Sequence, residues 1–353
     1  MPAPLTLRSG RHTHHLRTPF RVAHGVSATR ESLFVRLDAW GHTGWGEGAR
    51  VPYYPYSIEQ LERYVQTLDL DRLVTEGEVY VEDALAGLPP GPPPAKCAVD
   101  LALHDAWGRS MGEPLWKLWG LNPTRLPVSS FTLSIPDDDE ALERAAQDAA
   151  HLPFLKLKIG SGDVDRDVQI VARTRELTTG TVLGVDANSA YDEADAARLV
   201  QALAELGVAY VEQPLIADDV SRWHRLRALL PSGMPPLIAD ESVQSAADVV
   251  ALAGGADGVN LKLCKTAGLA GMRRGIAVAR SLDMTVMIGC MVESTVAVSA
   301  AAHLAPLADF CDLDAPQLIR DTVGEGGMTW TDGRMTLPDA PGTGVRAVGV
   351  PVD

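Results

Sequence analysis

The sequence predicts an α/β chain: a parallel barrel of the (β/α)8 type, preceded by a smaller α+β domain. Three observations predict it. Eight short apolar runs follow residue 127, with helix-like stretches between them. Landmark charged residues on successive runs recur every ~22 to 28 residues, the length of one strand plus one crossover helix. Six of the runs carry a charged side chain at or near their C-terminal end: Lys158, Asp186, Glu212, Asp240, Lys262 and Asp312. A doubly wound open sheet is the structural alternative.

From the N-terminus, RTPFRVAHG, ESLFVRLDAWG and HTGWGEG read as a three-strand meander. SIEQLERYVQTL reads as a helix, and AKCAVDLALHDAWGRSMG as another after the Pro-rich joint LPPGPPP (88–94). These elements form an α+β domain over 1–120. The eight runs are then VSSFTLS, FLKLKIG, TVLGVDAN, GVAYVEQP, PPLIADES, ADGVNLKL, MTVMIG and ADFCDLD. Strands buried on both faces and alternating with helices imply a parallel sheet. DDEALERAAQDAAHL, DEADAARLVQALAELG, AADVVALAGG and GLAGMRRGIAVARSL lie between them and open and close on capping residues. The barrel is expected over 121–320. The tail, 321–353, has turn chemistry and short strands and is expected to pack back on the N-terminal domain.

Composition narrows the partners. Lysine plus arginine number 31 against 46 acidic residues, a net charge of −15, which argues against nucleic acid and anionic membrane. The 46% hydrophobic content suffices for a large core. Cys97, Cys264, Cys290 and Cys311 form no C-x-x-C pair and read as reduced core thiols of a cytoplasmic protein. The N-terminal residues hold no apolar core of a signal peptide, and no run approaches the ~20 apolar residues of a membrane span.

The chemistry begins in LKLKIG (155–160). Side chains alternate along a strand, so Lys156 and Lys158 share a face. Six charged strand ends in register place that face inward, where active sites of such barrels are built. Asp186, Glu212 and Asp240 end consecutive strands about 4.8 Å apart and would converge. Three bare carboxylates that close repel one another, and a divalent cation resolves this. An all-oxygen set suits a hard ion, best Mg²⁺, with Mn²⁺ as the alternative. The competing reading is separate salt bridges to nearby lysines. Lys158 and Lys262 flank the carboxylates on opposite sides. A buried lysine near other cations has a lowered pKa and serves as a base, with Lys156 supplying the cation for Lys158. Two bases across a metal-bound carboxylate suit proton abstraction next to it, the metal stabilising the enediolate charge. The alternative is that each lysine only pairs with one ligand carboxylate and holds the rim together.

These residues resemble the enolase superfamily, and within it the muconate-lactonizing-type subgroup. The resemblance covers nearly the whole chain. It rests on the helix AVDLALHDAWG, LKLKIG as the K-x-K element, VDAN, VEQP and ADES as the metal strands, and NLKLCKTAGL as the lysine strand. It implies a modified TIM barrel, (β/α)7β, with an N-terminal α+β capping domain that closes over substrate. It implies Asp186, Glu212 and Asp240 as Mg²⁺ ligands, Lys158 and Lys262 as the acid/base pair, and Lys156 as electrostatic support. The mandelate-racemase-like subgroup uses a histidine on the seventh strand, and MTVMIGC has none. His303 lies beyond, in an Ala-rich helix, and reads as structural.

The last run narrows the substrate. Asp312 and Asp314 fall on one face, and a pair of acids at the barrel mouth wants a cation. CDLDAP resembles the Asp-x-Asp element of dipeptide epimerases, which holds the substrate's α-ammonium group. The implied reaction is 1,1-proton transfer at the C-terminal residue of a dipeptide. A barrel-closing or helix-capping role is the alternative for this pair. Thr132 and Ser134 on the first run and Asn188 on the third are expected to touch substrate, and a homo-oligomer is expected.

One position departs from the resemblance. Epimerases of Ala-Glu carry an arginine in the loop after the first strand, where this chain has Gly25. Arg21 and His24 are displaced from it, so L-Ala-L-Glu is not assigned as the substrate, and hydrophobic, histidine-containing or small side chains stay open. The aromatic stretch VPYYPYS (51–57) reads either as pocket wall or as packed cap surface. HTHH (His12, His14, His15) reads as an exposed strand, Glu293 as a neighbour of Lys262, and GTGVRAVG lacks the strand–helix context of a dinucleotide loop. A cycloisomerase, an N-acylamino acid racemase or an amino-acid dehydratase of the same fold is the runner-up function. A catalytically silent barrel is the reading from a different class.

Overall fold

The computed structural model of the protein describes residues 5–22, 25–51, 53–74, 79–320, 323–347 and 349–352. The chain opens with three antiparallel strands in the order β1-β2-β3: β1 Thr6–Val22, β2 Gly25–Ala39 and β3 His42–Ala49. The turn between Ala39 and His42 has two central residues, Trp40 and Gly41, both at positive φ (52° and 76°). That is the geometry that matches the twist of a tight hairpin.

Helices α1 Ile58–Gln66, α2 Val81–Gly87, α3 Pro93–Met111 and α4 Leu115–Leu118 follow. Ser57 and Gln60 close a capping box on α1. Proline in its first turn starts α3, and Gly112 in the left-handed region ends it. α3 is buried along almost its whole length, as a helix clasped from two sides must be. The alternating glycines of HTGWGEG explain how closely it lies on the sheet. A Cβ at Gly44, Gly46 or Gly48 would fall 2.1, 1.9 or 2.0 Å from the carbonyl oxygens of Ala102, Ala98 and Pro94.

The barrel strands are β4 Phe131–Leu133, β5 Phe154–Lys158, β6 Val182–Asp186, β7 Val211–Glu212, β8 Leu237–Ala239, β9 Gly258–Lys262, β10 Thr285–Gly289 and β11 Phe310–Asp312. All eight fall in the expected runs, and each pairs in parallel with the next. A parallel bridge from Ser129 to Cys311 closes the ring, with the Ser130 amide donating to the Cys311 carbonyl at 2.9 Å. Seven helices cross between them: α5 Asp139–Ala149, α6 Val164–Leu177, α7 Glu193–Glu205, α8 Ser221–Leu229, α9 Ala246–Leu252, α10 Leu269–Ser281 and α11 Thr295–Ala302. Among the described residues the one α-helix after β11 is the four-residue α12, Ala315–Leu318. The architecture is therefore (β/α)7β. The floor of the barrel is filled by Phe154, Tyr210 and Phe310, whose ring centroids lie 5.1–6.1 Å apart.

The tail forms β12 Gly324–Gly326, β13 Thr329–Thr331, β14 Arg334–Thr336 and β15 Val345–Ala347. Val345 packs with Phe34 of β2 and Val296 of α11, so it touches both layers. GTGVRAVG supplies β15, antiparallel to β12, and makes no phosphate loop. Among the described residues no helix is long and apolar enough to cross a membrane.

Two buried carboxylates bolt the layers together. Glu47 of β3 accepts from the amide of Ser294 at 3.0 Å and the amide of Ala297 at 3.3 Å, at the start of α11. Asp100 of α3 accepts from the amides of Leu269 and Ala270, at 2.7 and 3.2 Å, at the start of α10. Asp100 also lies 3.2 Å from His104 Nδ1. Burial lowers the pKa of His104, but the Asp100 charge more than offsets it and leaves it above the ordinary histidine value. Asp100→Ala is expected to cost about 1–2 kcal/mol, since it strands two amide donors. The ionic share of that loss is full below the ordinary histidine pKa and fades as pH rises through the raised one. Urea unfolding of both proteins at acidic and alkaline pH checks the size and the sign.

Candidate active site

β5 is buried at all five positions. Leu155 and Leu157 face the helices within the main core, so the alternate residues, Lys156 and Lys158, face the barrel interior. Lys156 is 0% exposed and sits where four staves meet. Its ammonium lies 2.8 Å from Asp312 Oδ2, 3.0 Å from Glu212 Oε1 and 3.0 Å from Asp186 Oδ2. Burial pushes its pKa down, but Asp312, Glu212 and Asp186 more than reverse this and hold it well above the lysine range. Lys156 therefore stays charged, two residues from Lys158 on the same face of β5. Its charge is spent on three carboxylates.

The register of the parallel sheet brings the acids together. Lys158 pairs with Asp186 and Asp186 with Glu212, while Asp240 follows the last residue of β8. Asp186, Glu212 and Asp240 each offer an oxygen within 4.8 Å of the others, and all three are buried. Burial and then Asp186 push the Glu212 carboxyl up to about 8. Asp186 and Asp240 are held below the carboxylate range, because Lys158 and Lys156 around the first, and Lys262 and Lys265 around the second, outweigh their burial. Glu212 Oε2 stands 2.8 Å from Lys156 Nζ without the alignment of a hydrogen bond. An all-oxygen cluster with one member forced toward neutrality fits a hard divalent cation, which would restore its charge.

Lys158 donates to Asp186 Oδ2 at 2.6 Å and Lys262 to Asp240 Oδ2 at 2.7 Å. β5 and β9 are four staves apart in a ring of eight, so the two amines flank the acids from opposite sides. Burial lowers the pKa of Lys262, but Asp240 raises it further, above the lysine range. The expected lowering is therefore absent while Asp240 carries its full charge. An ion drawing on the same carboxylate would weaken that pull.

Several supporting residues escaped the sequence reading. Lys265, fully buried, hydrogen-bonds the Asp240 carboxylate and carbonyl, and donates to the Asn260 carbonyl at 2.9 Å. Asn260 in turn donates to Glu212 Oε1 at 2.8 Å. Gln213 accepts from the Asp240 amide at 2.9 Å and carries a positive φ of 36°. The only hint was K-L-C-K, a second lysine one helical turn after the first.

A cavity of ≈ 470 Å³ opens above the acids. Lys158, Lys262, Asn188, Thr132, Asp312 and Asp314 line its barrel side. Asn188 takes a positive φ of 43° and donates from its backbone to Asp186 Oδ1 at 2.9 Å. Asp312 accepts from Ser130 Oγ at 2.8 Å and from Lys156, while Asp314 accepts from the Thr132 amide at 2.6 Å. Burial and Asp312 push the Asp314 carboxyl up to about 7. Ser134 is half-buried and does not line the cavity.

The cap supplies the roof through Gly25, Arg30, Arg50 and Tyr53. Arg21 instead pairs with Asp137 at 2.6 Å, and His24 and Pro52 lie outside the described residues. The histidine run is not a uniformly exposed strand: His14 is fully buried, 3.1 Å from Glu47 Oε1. Glu293 accepts from Cys264 Sγ at 2.8 Å and from the Met291 amide at 3.3 Å, and lies within electrostatic reach of Lys262. His303 is buried and accepts from the Trp116 amide at 3.1 Å, a structural role.

Known proteins share this fold. The family profile "Mandelate racemase / muconate lactonizing enzyme, N-terminal domain" matches residues 6–120, and "Enolase C-terminal domain-like" matches 139–348. The chain is 34% identical to the L-Ala-D/L-Glu epimerase of Bacteroides thetaiotaomicron, over 94% of this chain and 85% of that one. It is 35% identical to the hydrophobic dipeptide epimerase of Roseobacter litoralis, over 94% and 97%. It superposes with a TM-score of 0.85 and 31% identity on the dipeptide epimerase of Methylococcus capsulatus complexed with Mg and the dipeptide L-Arg-D-Lys, over 98% and 99%. The chain belongs to the mandelate racemase and muconate lactonizing enzyme family of the enolase superfamily.

Proposed function

We propose that the protein is a Mg²⁺-dependent dipeptide epimerase. The observation that carries this is the pairing of Lys158 and Lys262 across a buried three-carboxylate cluster, beneath a cavity whose far wall holds Asp312 and Asp314. Relatives named as epimerases of dipeptides over nearly the full chain support it.

Asp186, Glu212 and Asp240 would hold the ion. When bound, it supplies the positive charge that stabilises an enediolate derived from the substrate's carboxylate. The chain's own residues do the rest. One lysine ammonium must first lose its proton, and it then takes the α-proton from one face. The opposite lysine returns a proton to the other face, inverting the centre. Asp312 and Asp314 hold the free α-ammonium group of the dipeptide. An arriving cation favours the ionised form of Asp314, whose carboxyl is otherwise pushed up to about 7 by burial and Asp312. The four cysteines are free thiols, which supports a reducing, cytoplasmic setting.

Incubation with Mg²⁺ and a pooled dipeptide library in D₂O tests the reading. Deuterium is expected at the α-carbon of the C-terminal residue, and chelation of the metal is expected to stop the exchange. Exchange confined to N-acylated amino acids would move the assignment to the racemase of the same fold, because such substrates give Asp312 and Asp314 no ammonium partner.

A further inference from the structure

Each of the three clustered acids has one oxygen taken by a group other than Lys158 or Lys262. Asp186 Oδ1 accepts from the Asn188 amide at 2.9 Å, while Oδ2 meets Lys158. Glu212 Oε1 accepts from Asn260 at 2.8 Å and from Lys156 at 3.0 Å, while Oε2 has no aligned donor. Asp240 Oδ1 accepts from Lys265, while Oδ2 accepts from Lys262 at 2.7 Å. The cluster therefore presents one oxygen per acid to a shared ion.

Lys265 is the firmest of these holds. Among the described residues four lysines are buried: Lys158 and Lys262 face the cavity, Lys156 is shared by three acids, and Lys265 serves Asp240. The chain turns tightly after β9, the Lys265 amide donating to the Lys262 carbonyl at 3.0 Å, and the side chain returns to the Asn260 carbonyl at 2.9 Å. An ammonium has three N–H groups. Those of Lys265 meet the Asp240 carboxylate, the Asp240 carbonyl and the Asn260 carbonyl. Lys265 is 1% exposed and does not line the cavity, so it meets neither solvent nor a molecule held there. The Asn260 side chain in turn reaches Glu212, so this one unit fixes two of the three acids. Moving Lys265 aside would strand a buried ammonium and two carbonyls. An ion chelated by both Asp240 oxygens would also approach that ammonium, cation against cation.

We propose that Lys265 is a positioning residue that restricts Asp240 to a single ion-facing oxygen and thereby biases the acid cluster toward Mg²⁺ and against Ca²⁺. Mg²⁺ demands a six-coordinate octahedron, and three single oxygens leave half of it for water and a substrate carboxylate. Ca²⁺ is larger, takes six to eight oxygens and readily uses both oxygens of one carboxylate. Lys265 denies it the second oxygen of Asp240. The inference rests on the reading of the cluster as a metal site and deepens it, naming what selects the ion.

The test is calorimetric titration of the full chain and of Lys265→Met with Mg²⁺ and, separately, Ca²⁺, with no dipeptide present. The unaltered protein is expected to bind Mg²⁺ at least as tightly as Ca²⁺. Removing a nearby cation strengthens the hold on either ion, so the ratio of the two Kd values is the deciding quantity. Lys265→Met is expected to shift that ratio about tenfold or more in favour of Ca²⁺. A role in folding alone would weaken both ions alike, and a role through charge alone would tighten both alike. Either result, or tighter binding of Ca²⁺ by the unaltered protein, overturns the proposal and leaves the metal site and the epimerase reading standing. A crystal structure of the unaltered protein with Ca²⁺ decides the matter even if the variant does not fold. One Asp240 oxygen on the ion and the other on Lys265 is expected, and both oxygens on the ion overturns the proposal. Binding of neither ion by the unaltered protein overturns the metal site itself.

Discussion

Lys158→Ala and Lys262→Ala are each expected to lower epimerisation by a factor of about 10³ or more, the upper range for a positioned acid or base. The more telling result is stereochemical. Each lysine serves one face, so each variant should lose α-deuteration of one epimer while retaining exchange of the other. Lys158→Ala and Lys262→Ala should fail on opposite epimers. Neither change should unfold the barrel. Asp186 keeps Lys156 at 3.0 Å, and Asp240 keeps Lys265. Proton NMR of the L,L- and L,D-dipeptides in D₂O reads both centres, and calorimetric titration with Mg²⁺ confirms an intact metal site. If both variants lose exchange of the same epimer, the two-base arrangement is wrong.

Lys156→Met is expected to act on stability. The methionine fits the space but leaves Asp186, Glu212 and Asp312 buried around a neutral side chain. Removing one partner of a buried ionic cluster costs about 3–5 kcal/mol, because the desolvated charges left behind have nothing to offset them. Mg²⁺ should restore part of this loss, since it binds only the folded triad. Urea unfolding with and without Mg²⁺ measures both. A change under about 1 kcal/mol would show that water reaches the cluster.

The floor of the candidate site was legible in the sequence because each of its residues ends a strand or directly follows one. In a parallel barrel the strand ends share a rim, so Lys158, Asp186, Glu212, Asp240 and Lys262 could be placed together from spacing alone. Residues that act from turns or from the other layer were not legible. Lys265 reaches Asp240 from beyond the end of β9. Gln213 does so only because its backbone turns to positive φ, which also cuts β7 to two residues. The crossover helices α6 and α8 were passed over for a different reason. The buried face of α6 includes Asp167 and Thr174, and that of α8 only Trp223 and Leu226, so neither shows a clean apolar stripe. The buried state of His14 depends on Glu47 and Ser32, partners with no signature in the local pattern.

The two layers meet around one cavity, with Lys158 and Lys262 on barrel staves and the roof on the cap. These surfaces occupy separate stretches of the gene, the roof residues falling before position 54 and the lysines and ligands after 155. Mutations in the first stretch can therefore retune which molecules are admitted while the reactive machinery is inherited unaltered. Exchanging the N-terminal sheet between homologues becomes a rational route to new catalysts, provided Glu47 and Asp100 travel with it to fasten the joint.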